Sequence, residues 1–180
     1  MQVVISRLYT SFMSIMPKRL HIISVIGGRE PSPAEEDLAL QVGRELAESN
    51  IIVACGGLGG VMEAACKGAK EKGGTTIGIL PGSTAQEANN FVDIPIVTGI
   101  GFARNMVVVK TGQAVIAVGG SFGTLSEIGH ALSADIPVIG LNTWDLSGRG
   151  EGNRRIIPAS SPKHAVELAM EQILLKSVVE

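Results

Sequence analysis

The stretch that decides the fold runs from Val115 to Leu132 and reads Val-Ile-Ala-Val-Gly-Gly-Ser-Phe-Gly-Thr-Leu-Ser-Glu-Ile-Gly-His-Ala-Leu. Its first four residues are apolar and mostly β-branched, which predicts a strand buried on both faces of a parallel sheet. Three glycines interrupt this run, and from Leu125 apolar residues recur at helical spacing. The stretch therefore predicts a strand, a glycine-rich turn and the N-terminus of a helix.

This turn has two interpretations. A helix N-terminus presents free backbone N–H groups and the positive end of the helix dipole, and glycines let an anion approach the main chain. The turn could therefore bind a phosphate or a nucleotide. Alternatively, Thr124-Leu-Ser-Glu127 fits a capping box, in which Thr124 caps the helix and Glu127 bonds back to its N–H. This stretch alone leaves the two interpretations equally open.

The same alternation of strand and helix repeats along the chain. Strands are predicted over residues 21–26, 51–55, 75–80 and 136–141, with a weaker one over 92–97 that Pro95 interrupts. A helix rich in small residues, over 61–72, could pack on its own sheet or on a partner, and another is predicted over 102–111. The alternation predicts the α/β class, with one doubly wound, Rossmann-like parallel sheet covered by helices on both faces. We assign residues 19–180 to this single domain and residues 1–18 to an N-terminal extension, either flexible or a start-site artefact.

Composition excludes several classes of function. The 180 residues carry a formal net charge of -2, so they lack the clustered positive charge of a nucleic-acid-binding protein. No apolar run approaches the length of a membrane span. Cys55 and Cys66 lack Cys-x-x-Cys spacing and are predicted to be reduced, buried thiols, which is typical of a cytoplasmic protein. We therefore expect no nucleic-acid or membrane partner.

The candidate binding residues all fall where strands end. In doubly wound sheets the ligand binds outside the carboxyl ends of the strands, and four glycine-rich or polar segments are predicted there. Arg104 is notable because a cation in the first turn of a helix opposes the dipole, which a bound anion would relieve. The candidates are Gly27, Gly28, Arg29, Gly56, Gly57, Gly59, Gly60, Arg104, Asn105, Gly119, Gly120, Ser121, Gly123, Thr124 and Glu127.

Common cofactor motifs are missing. The sequence has no Walker Gly-Lys-Ser/Thr and no Gly-x-Gly-x-x-Gly after the first strand, which argues against a P-loop ATPase or a standard NAD enzyme. Its three histidines are scattered, so no metal site is predicted. Trp144 lies in a polar loop over 142–155, where packing over a crevice and ordinary partial burial both remain open.

Two segments resemble a known superfamily. Gly56-Gly-Leu-Gly-Gly-Val-Met-Glu-Ala-Ala65 and Gly119-Gly-Ser-Phe-Gly-Thr-Leu-Ser-Glu127 resemble the Rossmann-like superfamily often labelled lysine decarboxylase-like. Its best-understood enzymes are the cytokinin-activating phosphoribohydrolases. Together with Ile26-Gly-Gly-Arg29 and Gly101-Phe-Ala-Arg-Asn105, the run looks closest to the branch that includes the molybdenum cofactor carrier proteins. The resemblance covers about residues 20–175. No lysine context suggests a pyridoxal Schiff base, so lysine decarboxylation is not expected.

The resemblance implies two functions. The first is a binding or carrier protein for the molybdenum cofactor or a nucleotide, with the ligand's phosphate on the Gly119-to-Thr124 turn and Arg104 as its anion partner. The second is a nucleoside 5'-monophosphate phosphoribohydrolase in which Glu127 and Arg104 act at the ribosyl bond. No cofactor is expected to be required for folding, and relatives imply a homodimer or a higher homo-oligomer.

Departures from the hydrolase motifs favour the carrier. Val118 replaces a proline, Ser126 stands where the enzymes commonly carry a second glutamate, and Asn105 replaces a lysine. These changes leave phosphate binding intact and weaken the case for hydrolysis.

Overall fold

A computed structural model of the chain describes residues 20–146 and 155–177. The predicted extension over residues 1–18 lies outside the described residues. So do residues 147–154 of the polar loop over 142–155. The described strands form one all-parallel sheet in the order β4-β3-β2-β1-β5-β6-β7. They are β1 (Ile22–Gly27), β2 (Ile52–Cys55), β3 (Thr76–Leu80), β4 (Ile94–Val97), β5 (Ala114–Val118), β6 (Val138–Leu141) and β7 (Ile156–Pro158).

Five α-helices connect or follow these strands within the described ranges. They are α1 (Pro33–Glu48), α2 (Val61–Glu71), α3 (Asn105–Thr111), α4 (Phe122–Ser133) and α5 (Pro162–Ser177). Two short 3-10 turns, Ala85–Glu87 and Gly101–Arg104, lie between β3 and α3. None of the helices in the described part of the chain is long and apolar enough to cross a membrane.

The helices cover both faces of the sheet. One buried cluster joins α1, α2 and α5 to strand residues such as Ile116 and Val118. A second joins α3 and α4 to the alternate strand residues, such as Val115 and Ala117. Because successive strand residues point to opposite faces, β5 is completely buried and serves both clusters. The α/β class and the doubly wound sheet predicted from the sequence are confirmed.

Some boundaries differ from the prediction. The helix predicted over 102–111 begins only at Asn105, because the chain first makes the 3-10 turn Gly101–Arg104. The strand predicted over 92–97 begins at Ile94, since the carboxylate of Asp93 accepts hydrogen bonds from the backbone and hydroxyl of Thr76.

The small residues of α2 serve contact with α1 of the same chain. A Cβ at Gly68 would lie 1.9 Å from the carbonyl oxygen of Leu40, and one at Gly43 would lie 2.0 Å from that of Ala65. The two helices therefore touch through their backbones, and this face of α2 is not available to a partner.

Candidate functional site

A cavity of about 460 Å³ opens at the carboxyl edge of the sheet, beside the ends of β1 and β5. The strand order reverses between these two strands, and such switch points are where doubly wound folds bind ligands. Glycine-rich segments, two arginines and three glutamates form its wall. The lining residues are Gly27, Gly28, Arg29, Glu30, Pro31, Glu35, Val61, Met62, Phe102, Arg104, Asn105, Gly120, Ser121, Gly123, Thr124 and Glu127.

Arg104 is the buried cation of this cavity, with only 5% of its surface exposed. Its Nη1 donates to Asn105 Oδ1 at 2.7 Å, and its Nη2 donates to the carbonyl of Gly56 at 3.3 Å. Its Nε is buried without a hydrogen-bond partner. An unsatisfied buried donor costs about 1–3 kcal/mol, and more when it is charged. Arg104 thus retains capacity to bind an anion.

The glycine loop after β2 makes room for this arginine. A Cβ at Gly56 would lie 2.4 Å from Arg104 Nη2, so the guanidinium can reach the loop only because Gly56 has no side chain. Gly60 has a φ of +70° and would place a Cβ 2.4 Å from the carbonyl oxygen of Arg29. The first turn of α2 is also tied to the β1 loop, because the N–H of Val61 donates to Gly28 at 3.0 Å. These glycines therefore let the loop after β2 pack closely against Arg104 and against the loop after β1.

Glu127 lies opposite Arg104, with its Oε1 3.5 Å from Arg104 Nη1. The glutamate is 7% exposed, and burial raises the pKa of its carboxyl to about 7 although Arg104 opposes the shift. Burial also lowers the pKa of Arg104, against the attraction of Glu127. In both residues desolvation outweighs the attraction within the pair. A glutamate that titrates near neutral pH can give or accept a proton.

The capping role that the sequence allowed for Glu127 is wrong. Helix α4 begins at Phe122, three residues earlier than a Thr124 cap would require, and its N-cap residue is Ser121. The N–H of Ser121 donates to the hydroxyl of Thr124 at 3.2 Å, so Thr124 supplies the reciprocal contact. Glu127 therefore lies inside the helix and is free to face the cavity.

The first turn of α4 presents backbone donors at the cavity. The N–H groups of residues 122 and 123 have no intrahelical acceptor, and the positive end of the helix dipole lies at the cavity. Trp144 covers this turn from outside, because its Nε1 donates to the carbonyl of Ser121 at 3.3 Å. A Cβ at Gly120 would lie 2.6 Å from that same Nε1. The indole is half-buried against this turn.

The two cysteines lie behind the cavity. Both are free and buried, as the sequence predicts, and their Sγ atoms are 3.4 Å apart. The N–H of Gly57 donates to the Sγ of Cys55 at 3.3 Å. The hydrogen bond with Cys55, together with burial, raises the pKa of the Cys66 thiol. Cys66 therefore stays protonated at neutral pH.

The cavity includes ten of the fifteen candidate residues. The other five, Gly56, Gly57, Gly59, Gly60 and Gly119, lie outside its wall. Sequence reasoning missed Glu30, Pro31, Glu35, Val61, Met62 and Phe102, which also line it. Each is a neighbour of a glycine motif in the sequence except Glu35, whose carboxylate lies against Gly119 from α1. In the described ranges, no group of three or more His, Cys, Asp or Glu residues could hold a metal ion.

Comparison with known proteins identifies the family. The sequence pattern of the SLOG cluster4 family matches residues 20–166, which is most of the chain. The chain belongs to the SLOG cluster4 family. The matched region contains every strand and glycine turn that forms the cavity.

Two solved structures and one protein of related sequence are similar to this chain. The molybdenum cofactor binding protein of Rippkaea orientalis is 38% identical with a TM-score of 0.78, over 91% of this chain and all of that chain. The molybdenum cofactor carrier protein of Chlamydomonas reinhardtii is 36% identical with a TM-score of 0.79, over 87% of this chain and 99% of that one. An uncharacterised protein of Archaeoglobus fulgidus is 46% identical over 114 residues, which are 63% of this chain and 75% of that protein. The resemblance to the carrier-protein branch is confirmed.

Proposed function

We propose that this protein binds and carries a phosphorylated, ring-bearing small molecule, either a pterin phosphate of the molybdenum cofactor type or a nucleotide. The observation that carries the proposal is the unpartnered, buried Nε of Arg104 in a cavity that also contains the first turn of α4. Arginine and backbone N–H groups are the usual ligands of phosphate. The molybdenum cofactor is the preferred candidate because two similar proteins are described as its binding or carrier proteins.

The proposal gives a role to every candidate residue except Glu127. The phosphate lies on the backbone of residues 120–124, with Arg104 as its cationic partner. Gly27, Gly28, Arg29 and Asn105 contact the rest of the ligand. The five glycines behind the wall hold these loops close together. A cavity of about 460 Å³ lies in the range of small-molecule and cofactor sites.

The test is retention of the cofactor. Molybdenum cofactor freshly released from a molybdoenzyme is mixed with the purified protein, and the pterin that elutes with the chain in gel filtration is measured by fluorescence after oxidation. We expect pterin with the wild type and at least tenfold less with Arg104→Ala. A carrier of the molybdenum cofactor is contradicted if the wild type retains none.

A second candidate function rests on Glu127. A buried glutamate with a pKa of about 7, 3.5 Å from an arginine, is suited to acid–base work at a ribosyl bond. The alternative is therefore hydrolysis of nucleoside 5'-monophosphates to free base and ribose 5-phosphate. Its test is incubation with a panel of these nucleotides and chromatography for free base. Release that is lost in Glu127→Gln would replace the carrier by the hydrolase.

Self-association and location complete the proposal. Strand β4 is the sheet edge, and its residues Ile94, Ile96 and Val97 are all exposed. We call these three residues the β4 strip. Exposed apolar strips of this kind mark protein contacts, and we propose that a second copy of the chain covers it.

Two free thiols in contact are compatible with a cytoplasmic location, which is also part of the proposal.

A further inference from the structure

We propose that Phe102 is a stacking platform for the ligand's planar ring, so that the cavity selects phosphorylated molecules with a heteroaromatic ring over simple sugar phosphates. This inference rests on the proposed anion site at Arg104 and adds a second recognition element to it. In this arrangement the planar ring of the ligand lies on Phe102, and its phosphate lies at Arg104.

The placement of Phe102 follows from that of Arg104. Both lie in the 3-10 turn Gly101–Arg104, two residues apart, and both line the cavity. Arg104 is buried, whereas 80% of the surface of Phe102 is exposed. The backbone before them is fixed, because the N–H of Gly101 donates to Pro81 at 2.9 Å and that of Gly99 donates to Gly82 at 2.9 Å. The ring is therefore an open apolar surface on a fixed support.

The chemistry of the wall shows why this ring is unusual. The chain has only six Phe, Tyr and Trp residues in 180, and Phe102 is the single aromatic residue among the described residues that line the cavity. The rest of the wall is mostly backbone, charged groups and small polar side chains. A ligand with an anionic end and a planar ring can bind Arg104 and cover Phe102 together. A sugar phosphate would leave the phenyl ring in water.

The gain in binding affinity expected from stacking on Phe102 is large enough to measure. Stacking of a nucleobase on an aromatic side chain is worth about 1–3 kcal/mol by alanine substitution, which corresponds to roughly 5- to 150-fold in affinity. The proposed phosphate contact is made by the guanidinium of Arg104 and the backbone of residues 120–124, so it does not involve the phenyl ring. Loss of Phe102 should therefore weaken the binding only of ligands that have a planar heteroaromatic ring.

Leu175 provides a control outside the proposed binding machinery. It is 56% exposed, it lies on α5, and it is not part of the cavity wall. Replacing it by alanine removes an exposed apolar side chain without changing the proposed platform or the proposed phosphate contacts.

The experiment compares the binding of guanosine 5'-monophosphate and ribose 5-phosphate by calorimetry. The wild type should bind the nucleotide at least fivefold more tightly. Phe102→Ala should lose that preference while its affinity for ribose 5-phosphate stays within twofold, and Phe102→Trp should keep the preference. Leu175→Ala should leave both affinities within twofold of the wild type.

Three outcomes would overturn the stacking role. They are a wild type without preference for the nucleotide, equal weakening of both ligands by Phe102→Ala, and no change in either. If Phe102→Ala instead changes only the oligomeric state in light scattering, the ring is a subunit contact and the platform is wrong. Failure of the proposed function looks different, because the wild type would then bind neither ligand or Arg104→Ala would bind both normally.

Discussion

At the residue scale, Glu127 and Arg104 share one buried environment in which neither fully neutralises the other. Their closest atoms are 3.5 Å apart, and burial still raises the pKa of Glu127 to about 7. A protonated Glu127 leaves the charge of Arg104 available to an anion, whereas an ionised Glu127 compensates it. Binding of an anion at Arg104 should therefore depend on the protonation of Glu127.

This dependence predicts a pH profile. Sulfate is a suitable probe because it does not titrate between pH 6 and 8. As pH rises through 7, Glu127 ionises and repels the anion, so sulfate affinity should fall, by roughly tenfold for complete ionisation at a cost of about 1.4 kcal/mol. Glu127→Gln should bind sulfate with nearly constant affinity over this range, measured by calorimetry. A wild-type profile that is flat, or an equally steep profile in Glu127→Gln, would contradict the coupling.

Sequence reasoning reached these residues only in part. Arg104 was a candidate because of its place near a helix start, and that reasoning needed no tertiary information. Its burial depends on Gly56, which is 48 residues away and leaves space for Nη2. The role of Glu127 was ambiguous because a four-residue pattern fits a cap, while the real cap, Ser121, depends on where α4 begins.

At the element scale, the strands were the most predictable part of the chain. Mostly apolar runs identify β1, β2, β3, β5 and β6 to within two residues, because a strand buried on both faces has few polar positions. Segments governed by contacts were harder. The 3-10 turn Gly101–Arg104 has helical spacing but a different hydrogen-bond pattern, and the packing partner of α2 is visible only in three dimensions.

The α1–α2 contact predicts opposite effects of the same substitution in two helices. Gly68→Ala would place a Cβ 1.9 Å from the carbonyl oxygen of Leu40, so the helices must separate, and we expect a loss of about 2 kcal/mol or more in the free energy of unfolding. Gly129→Ala, in α4, meets nothing within 4 Å and should be neutral or stabilising by up to about 1 kcal/mol. Urea denaturation of both variants checks this, and similar effects in the two would refute the close contact.

At the scale of the whole molecule, the fold leaves one sheet edge uncovered by its own helices. The β4 strip belongs to a strand that pairs only with β3 in the described sheet. Its three large apolar side chains are exposed. At the other edge of the sheet the apolar side chains are less exposed. The two isoleucines of β7, Ile156 and Ile157, are only partly exposed. The sequence predicts the strand over 92–97 that includes the β4 strip, but it gives no measure of how exposed these side chains are.

The β4 strip predicts the oligomeric state. Light scattering should give a dimer or a higher oligomer for the wild type, and Ile96→Glu should shift it toward the monomer because a charge on a buried apolar contact is costly. Leu174→Glu changes an apolar residue on α5 that is at least as exposed as Ile96, and it should leave the state unchanged. A monomeric wild type would contradict the proposed contact, as would equal dissociation by both variants.

The central claim, that Arg104 and the first turn of α4 bind the phosphate of the ligand, is tested most directly by calorimetric titration with ribose 5-phosphate at pH 6.5. Arg104→Lys keeps a charge but lacks the Nε–H, and Arg104→Ala lacks both. We predict weaker binding in that order, with at least tenfold loss in Arg104→Ala. Arg44→Ala, which removes a surface arginine paired with Glu71 at 2.6 Å, should bind as the wild type does. Equal affinity in the wild type and in both Arg104 variants, each shown by thermal unfolding to be folded, would contradict the account.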